Sequence, residues 1–196
     1  MDFMEVTKKY QIFCDMDGVL VDLVGGVGEA LYATPPDEAS QNYIKIQNKA
    51  RKVLEGKPLL SEHLDKTHPN FKKETRNFLY RVLMDNRRFW MNLKWLPDGK
   101  KLWEYIKKYD PVILSKPTDL QAVIGKKKWV KDNIGLSKER VQIRYDKSPY
   151  AQYDGKIGIL IDDFESNTSK FDAAGGRTVL YTNTQDAIKE LKSFGF

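Results

Sequence analysis

The sequence predicts an α/β fold, in which a Rossmann-like parallel sheet carries helices on both faces. Five short apolar runs rich in β-branched residues recur along the 196 residues, and helical segments separate them. A long stretch with helical spacing interrupts this alternation after the first run. The chain length suits one domain, or a core domain that carries a small insert.

The predicted strands follow one another with clear helix signals between them. The strands are Tyr10 to Cys14, Val112 to Leu114, Val141 to Tyr145, Ile157 to Ile161 and Thr178 to Tyr181. Pro97 suits the first turn of one helix, and Thr118 opens a sequence that resembles the capping box of the next. Gly175 and Gly176 are predicted to end a further helix, and Thr184 to cap the last.

The segment of residues 25–88 lacks a convincing strand and shows apolar residues at intervals of three or four instead. The spaced residues are Ala39, Tyr43, Ile46, Ala50 and Val53, then Phe71, Thr75, Phe78, Leu79 and Val82. Prolines and glycines divide the segment into two or three helices. It is therefore predicted to be a helical cap that closes over the sheet edge, inserted into a core formed by residues 1–24 and 89–196.

Composition limits the class of protein. The 41% of hydrophobic residues and the absence of a long apolar run predict a soluble globular protein with no membrane segment. The N-terminus does not resemble a signal peptide, and Cys14 is the only cysteine, so a cytoplasmic location is expected. The net charge of +6 favours anionic partners, although paired lysines are also common on solvated helix faces.

Two acidic pairs follow two of the predicted strands. Asp15 and Asp17 come directly after the first strand, with Gly18 available for a sharp turn, and Asp162 and Asp163 end a later one. Because the carboxyl ends of parallel strands meet at one sheet edge, these carboxylates are expected to converge. Converging like charges repel unless a cation lies between them, and an all-oxygen ligand set favours Mg²⁺.

Other polar residues are predicted at the same edge. Ser115 and Lys116 follow the second strand, and Lys147 and Lys156 are taken to lie near the next strand ends. A hydroxyl and an ammonium group there could donate hydrogen bonds to phosphoryl oxygens. A serine at a strand end is also common in structures that bind nothing.

Four short motifs occur along the chain in a fixed order: Asp15-x-Asp17-Gly18-Val19, then Ser115, then Lys147 or Lys156, then Asp162-Asp163. This order resembles the haloacid dehalogenase superfamily. The resemblance implies that Asp15 is the nucleophile and Asp17 the general acid and base. It also implies that Mg²⁺ is held by Asp15, the Asp17 carbonyl, Asp162 and Asp163, while Ser115 and the motif lysine hold the phosphoryl oxygens.

A closer resemblance is to the 5'(3')-deoxyribonucleotidases. It is carried by Asp15 to Asp22 with Gly25-Gly26, Phe89-Trp90 before Leu96-Pro97, Lys127 to Val130, Arg144 to Ser148 and Leu160 to Asp163. The resemblance favours Lys147 as the motif lysine, but the stretch from Lys147 to Asp162 is longer here, which keeps Lys156 open. Leu23 stands where that family has an aromatic substrate contact, and the insert lacks a counterpart of its Phe-Trp pair.

These observations predict a Mg²⁺-dependent phosphomonoesterase that acts on nucleoside monophosphates. A phosphatase of nucleic-acid termini and a non-catalytic nucleic-acid-binding protein are the alternatives, and oligomeric state is left open, with a dimer allowed. The predicted substrate-binding residues are Leu23, Trp90, Ser115, Lys116, Lys147 and Lys156. Trp90 has packing as its alternative role, and Lys126, Lys127 and Lys128 are predicted to be exposed groups that steer phosphate inward.

Overall fold

A computed structural model describes residues 3–196, excluding the side chains of Phe3 and of residues 83–85. The chain forms two compact units. The first, the core unit, contains residues 3–22, 94–117 and 126–196; the second, the helical unit, contains residues 23–93 and 118–125.

The core unit is built on a sheet whose strands largely match the predicted ones. These are β1 (Tyr10–Cys14), β2 (Val112–Ser115), β3 (Val141–Ile143), β4 (Gln152–Tyr153), β5 (Lys156–Asp162) and β6 (Arg177–Leu180). The order is β3-β2-β1-β5-β4, and β6 also pairs with β5. Apart from β4, all pairs are parallel, and Cys14 lies between Ile113 and Ile161 in register. The predicted α/β class is confirmed.

The short strand β4 is absent from the prediction. It forms an antiparallel hairpin with the start of β5, in which Gln152 pairs with Ile157 and Tyr153 with Lys156. Asp154 and Gly155 both have positive φ, 51° and 74°, as a two-residue turn of the type I′ requires. This hairpin and the helical turn Ser148–Ala151 account for the long stretch between Lys147 and Asp162.

Helices separate the parallel strands as the alternation predicted, except between β3 and β5, where the helical turn Ser148–Ala151 and β4 stand instead. They are α1 (Phe3–Lys9), α2 (Leu23–Tyr32), α3 (Gln41–Leu54), α4 (Lys73–Asp85), α5 (Arg87–Met91), α6 (Pro97–Ile106), α7 (Leu120–Asn133), α8 (Glu165–Ala173) and α9 (Thr184–Ser193). Two caps differ from the prediction. Asp119, rather than Thr118, accepts the Ala122 amide, and Asn183, rather than Thr184, accepts the Asp186 amide. Among the described residues, none of the helices is both long and apolar enough to cross a membrane.

The helical unit packs around its own apolar cluster. Its buried members come from α2, α3, α4 and the connection between the last two: Val27, Leu31, Ala50, Leu54, Leu59, Phe78 and Val82. Their spacing on each helix is three or four residues, so each helix contributes one apolar face. The core unit has a separate cluster in which the Phe13 ring lies edge-on to Tyr150, Tyr153 and Phe171.

Candidate active site

The predicted site residues of the core unit converge at the carboxyl edge of the sheet. Asp15 follows β1, Ser115 ends β2 and Asp162 ends β5. The Asp15 amide donates a hydrogen bond of 2.9 Å to the Ile161 carbonyl, which extends the β1–β5 ladder by one residue. The parallel register alone therefore places Asp15 beside Asp162, whatever contacts their side chains make.

Asp15 is buried and held by two donors. Its Oδ1 accepts a hydrogen bond of 2.7 Å from the Met16 amide, and its Oδ2 lies 3.0 Å from Lys147 Nζ. Burial alone would raise the pKa of Asp15, but the charges of Lys147 and Lys126 outweigh it and lower the pKa below its usual value. Asp15 is therefore ionised at neutral pH, as a nucleophile must be.

Lys147 is the lysine of this cluster. Its side chain is 2% exposed, and its Nζ also lies 2.6 Å from Asp162 Oδ2. Although burial opposes it, the charges of Asp15 and Asp162 raise the pKa of Lys147, so this lysine stays charged. Lys156 does not reach the cluster, since it is the first residue of β5 and Asp162 is the last. At about 3.3 Å per residue that separation is roughly 20 Å, which favours Lys147 over Lys156 as the motif lysine.

The two carboxylates after β5 have different surroundings. Both Asp162 oxygens accept hydrogen bonds of 3.0 Å from Asn167 Nδ2, Oδ1 also accepts from the Phe164 amide, and Lys147 contacts Oδ2. Asp163 lies beside Gly18, where φ is +72° and any Cβ would overlap the Asp163 carboxylate. Asp162 is thus saturated by protein donors, and Gly18 leaves space for the Asp163 carboxylate.

A divalent cation fits this arrangement. Carboxylate oxygens of Asp15, Asp162 and Asp163 all lie within 4.8 Å of one another, a hard all-oxygen donor set of the kind that suits Mg²⁺. Partial burial and the charges of Asp15, Asp162 and Asp17 raise the pKa of Asp163 to about 7. Asp15 and Asp163 would be direct ligands, while the hydrogen bonds of Asp162 suit it to orient the cluster.

We expect Mg²⁺ affinity to depend on the protonation of Asp163. With a pKa of about 7, the fraction ionised falls about tenfold between pH 8 and pH 6, and bound protons exclude the metal. Calorimetric titration of wild-type protein should therefore give an affinity about tenfold weaker at pH 6 than at pH 8. Asp163→Asn should abolish most of the affinity and remove this pH dependence.

Asp162→Asn is the matched control, because it removes a neighbouring charge that is already satisfied by protein donors. It should keep the larger share of the Mg²⁺ affinity.

Thermal denaturation without metal supplies a second test. The raised pKa means that ionisation of Asp163 destabilises the fold, so metal-free wild type should lose stability as pH rises from the ordinary pKa of 3.8 to about 7 and should level off above that. Asp163→Asn should lose less, and equal losses would contradict this assignment.

Asp17 pairs with Lys126, a lysine whose predicted exposure is wrong. Lys126 is 0% exposed rather than on the surface, and its Nζ contacts Asp17 Oδ2 at 2.6 Å, Ser115 Oγ at 2.9 Å and the Lys116 carbonyl at 2.6 Å. Lys127 and Lys128 are exposed, as predicted. Burial raises the pKa of Asp17 despite the Lys126 charge, and the charge of Asp15 raises it further. Among the described residues, Asp17 Oδ1 is buried without a hydrogen-bond partner.

A signal for Lys126 is present in the sequence. Ala122, Trp129 and Val130 are buried on α7, and Lys126 stands four residues after the first and three before the second. It therefore lies on the apolar face of the helix, where an unpaired lysine is costly. A lysine at that position indicates a buried acidic partner.

The remaining predicted substrate contacts have other environments. Trp90 is 1% exposed and lies edge-on to Phe89, which favours the alternative role in packing, and its substrate contact stays a prediction. Leu23 is half-buried against the apolar cluster of the same unit, and its substrate contact stays a prediction. Lys116 is half-buried, and its Nζ donates a 2.5 Å hydrogen bond to Asn167 Oδ1.

No protein-family model and no curated protein matches the sequence. Solved structures do match the fold. A hydrolase from Streptococcus pneumoniae TIGR4 aligns with a TM-score of 0.50 at 16% identity, covering 94% of this chain and 99% of that chain. A protein from Burkholderia xenovorans LB400 assigned as a haloacid dehalogenase-like hydrolase gives 0.51 at 15%, covering 94% and 88%. The sheet topology and these alignments together establish that the chain has the haloacid dehalogenase-like α/β fold.

Proposed function

We propose that the chain is a Mg²⁺-dependent phosphomonoesterase that works through an aspartyl-phosphate on Asp15. The observation that carries the proposal is the contrast between two carboxylates separated by one residue. The pKa of Asp15 is lowered and that of Asp17 is raised. Opposite shifts of this kind suit one carboxylate to attack and the other to hold and transfer a proton.

In the first step, an Asp15 carboxylate oxygen attacks phosphorus, and the bond to the leaving oxygen breaks with its electron pair. Protonated Asp17 donates its proton to that oxygen. Lys147 Nζ and Ser115 Oγ donate hydrogen bonds to the phosphoryl oxygens, and their fixed positions stabilise the charge of the transition state. When bound, Mg²⁺ supplies further neutralisation of the phosphoryl charge.

In the second step, ionised Asp17 takes a proton from water as the water oxygen attacks phosphorus. The phosphorus–oxygen bond to Asp15 breaks, which restores the carboxylate and releases phosphate. Asp17 must therefore be neutral in one step and ionised in the next. Lys126 lies 2.6 Å from Asp17 Oδ2 and stabilises the ionised form, while it holds the carboxylate in one orientation.

We expect Lys126→Met to slow turnover about tenfold, the scale of one lost charge-assisted hydrogen bond. Without the ammonium group the pKa of Asp17 rises further, so the limb of the kcat profile that reports Asp17 should move to higher pH. This is the alkaline limb if the first step limits turnover and the acidic limb if the second does. A pH–rate profile with a saturating phosphomonoester measures both effects. Lys127→Met removes the same charge from an exposed neighbour on α7 and should leave the profile in place. Identical profiles for the two variants would remove Lys126 from the site.

For the substrate we propose nucleoside monophosphates, on the resemblance to the 5'(3')-deoxyribonucleotidases. The net charge of +6 also supports a phosphatase that acts on nucleic-acid termini, since such a surface attracts polyanions. A non-catalytic binding protein is disfavoured, because each of the two carboxylates proposed for catalysis has a charged partner, Lys147 for Asp15 and Lys126 for Asp17. A cytoplasmic location and a possible dimer remain part of the proposal.

A substrate screen tests these proposals. The protein is assayed with a chromogenic phosphomonoester, nucleoside 5'- and 3'-monophosphates and 3'- and 5'-phosphorylated oligonucleotides, each with Mg²⁺ and with chelator. Mg²⁺-dependent phosphate release is expected from the monoesters, with the highest kcat/KM for mononucleotides. A higher kcat/KM for oligonucleotides would favour the terminus phosphatase. Binding of nucleic acid without any phosphate release would favour the non-catalytic protein.

A further inference from the structure

A second cavity opens beside the phosphoryl site, within the core unit. It has a volume of about 490 Å³, and its lining includes Lys116, Tyr145, Asp146, Lys147, Asn167 and Lys170. The proposed reaction uses Lys147 alone among them. The cavity is large enough for a phosphate group together with part of the molecule that carries it.

The cavity has an excess of positive charge. Lys147 is already paired with Asp15 and Asp162, so the excess comes from Lys116 and Lys170. The one carboxylate that lines the cavity, Asp146, already accepts hydrogen bonds from the Ser148 amide at 3.0 Å and from Ser148 Oγ at 2.8 Å. Lys116 Nζ donates to the neutral amide of Asn167. Burial and the charges of Lys147 and Lys170 lower the pKa of Lys116. An anion in the cavity would relieve this repulsion.

The cavity and the phosphoryl site share structural elements. Lys147 lines the cavity, and its Nζ lies 3.0 Å from Asp15 Oδ2. Asn167 contacts both Lys116 Nζ and Asp162, so one amide joins the two sites. Ser115, at the phosphoryl site, directly precedes Lys116, whose side chain lines the cavity. An anion bound there would therefore share Lys147 with the phosphoryl group that Asp15 attacks.

Tyr145 adds an aromatic surface at this cavity. Its side chain is 69% exposed although it stands two residues before the buried Lys147. An exposed ring beside lysines can contact the sugar that links two phosphates or the base attached to that sugar, because stacking tolerates any base. The combination of a cationic cavity and an aromatic face therefore suits a nucleotide rather than free phosphate.

We propose that this cavity binds a second phosphate group of the substrate, so that the preferred substrates are nucleotides with two separate phosphates. The inference rests on the proposed phosphomonoesterase function and specifies its substrate class. The second phosphate can be a monoester, as in a nucleoside 3',5'-bisphosphate, or the diester that follows a phosphorylated terminus. Both sources present the same anionic oxygens to Lys116 and Lys170.

The test compares three substrates with one base: the nucleoside 5'-monophosphate, the 3',5'-bisphosphate and the 5'-phosphorylated dinucleotide. For wild type, kcat/KM should be at least about tenfold higher for either two-phosphate substrate than for the monophosphate, the scale of one charge-assisted hydrogen bond. Lys170→Ala should remove most of this ratio. Lys131→Ala removes the same charge from an exposed site on α7 outside the cavity and should preserve it.

The outcomes distinguish a monoester from a diester as the second phosphate. They also distinguish failure of this inference from failure of the proposed phosphatase function. An advantage for the bisphosphate alone identifies the monoester source, and an advantage for the dinucleotide alone identifies the diester source. Equal kcat/KM for all three substrates, or a ratio that Lys170→Ala leaves intact, would overturn the inference while the phosphatase stands. If no substrate is hydrolysed, the function fails, and calorimetry of bisphosphate binding to Asp15→Asn with and without Lys170→Ala still tests the cavity.

Discussion

Asp15→Asn should abolish turnover, by at least about 10⁴-fold in kcat, as expected when a covalent nucleophile is removed. The amide oxygen is a far weaker nucleophile, and the substitution also removes a charge from the metal cluster. The fold should persist, because Lys147 keeps its 2.6 Å contact with Asp162 and the side chain keeps its shape. Phosphate release measured over hours, with thermal denaturation in parallel, checks both statements.

Asp17→Asn is the matched control, since it makes the same chemical change two residues away. It should impair protonation of the leaving oxygen and activation of water, but it leaves the nucleophile in place. Rapid quenching with a labelled substrate should then trap phosphate on the Asp17→Asn protein and none on Asp15→Asn. Turnover of Asp15→Asn near the wild-type rate, or label retained on that variant, would show that another residue attacks phosphorus.

The sequence predicts the sheet and the position of the carboxylates for one physical reason. Strands buried on both faces are continuous apolar runs, and Ile157 to Ile161 is such a run ending in Asp162. Because parallel strands align their carboxyl ends, the residue that follows each run must lie at one edge. Asp15, Ser115 and Asp162 therefore follow from local patterns without knowledge of their contacts.

Contacts between distant segments are much harder to predict. Lys126 and Asp17 are 109 residues apart in sequence, and their ion pair depends on how α7 packs against the sheet. Three consecutive lysines also suggest a solvated face, which is correct for Lys127 and Lys128 alone. Periodicity separates them, because only Lys126 shares a helix face with Ala122 and Trp129.

Short elements and aromatic residues show the same limitation. The strand Gln152–Tyr153 is two residues long, too short to give an alternating pattern. It pairs with the start of β5, so Lys156 lies at the end of β5 that is away from the site. Trp90 could stack or pack on composition alone, and its burial beside Phe89 is a tertiary property.

The second large effect is expected at Lys147. Lys147→Ala should lower kcat about 10²-fold or more, the scale for losing one donor that stabilises transition-state charge. Lys156→Ala is the control, because it also removes one lysine. It should change kcat little, because Lys156 is at the end of β5 opposite to Asp162. Steady-state kinetics with a nucleoside monophosphate compare the two. The reverse order would mean that Lys156 supplies the phosphoryl contact.

Lys147→Ala should also affect stability in a way that depends on pH. The substitution leaves Asp15 and Asp162 buried without their shared ammonium, and breaking a buried pair costs about 3–5 kcal/mol. The charge of Lys147 is the largest influence that lowers the pKa of Asp15 against the effect of burial, so this pKa should rise in the variant. The variant then binds protons on its buried carboxylates at a pH where wild type keeps Asp15 ionised. The deficit in Tm relative to wild type should therefore be largest near pH 7 and shrink toward pH 4, as the carboxylates of the variant become neutral. A deficit that stays constant over this range would mean that Lys147 acts through packing, because packing does not titrate.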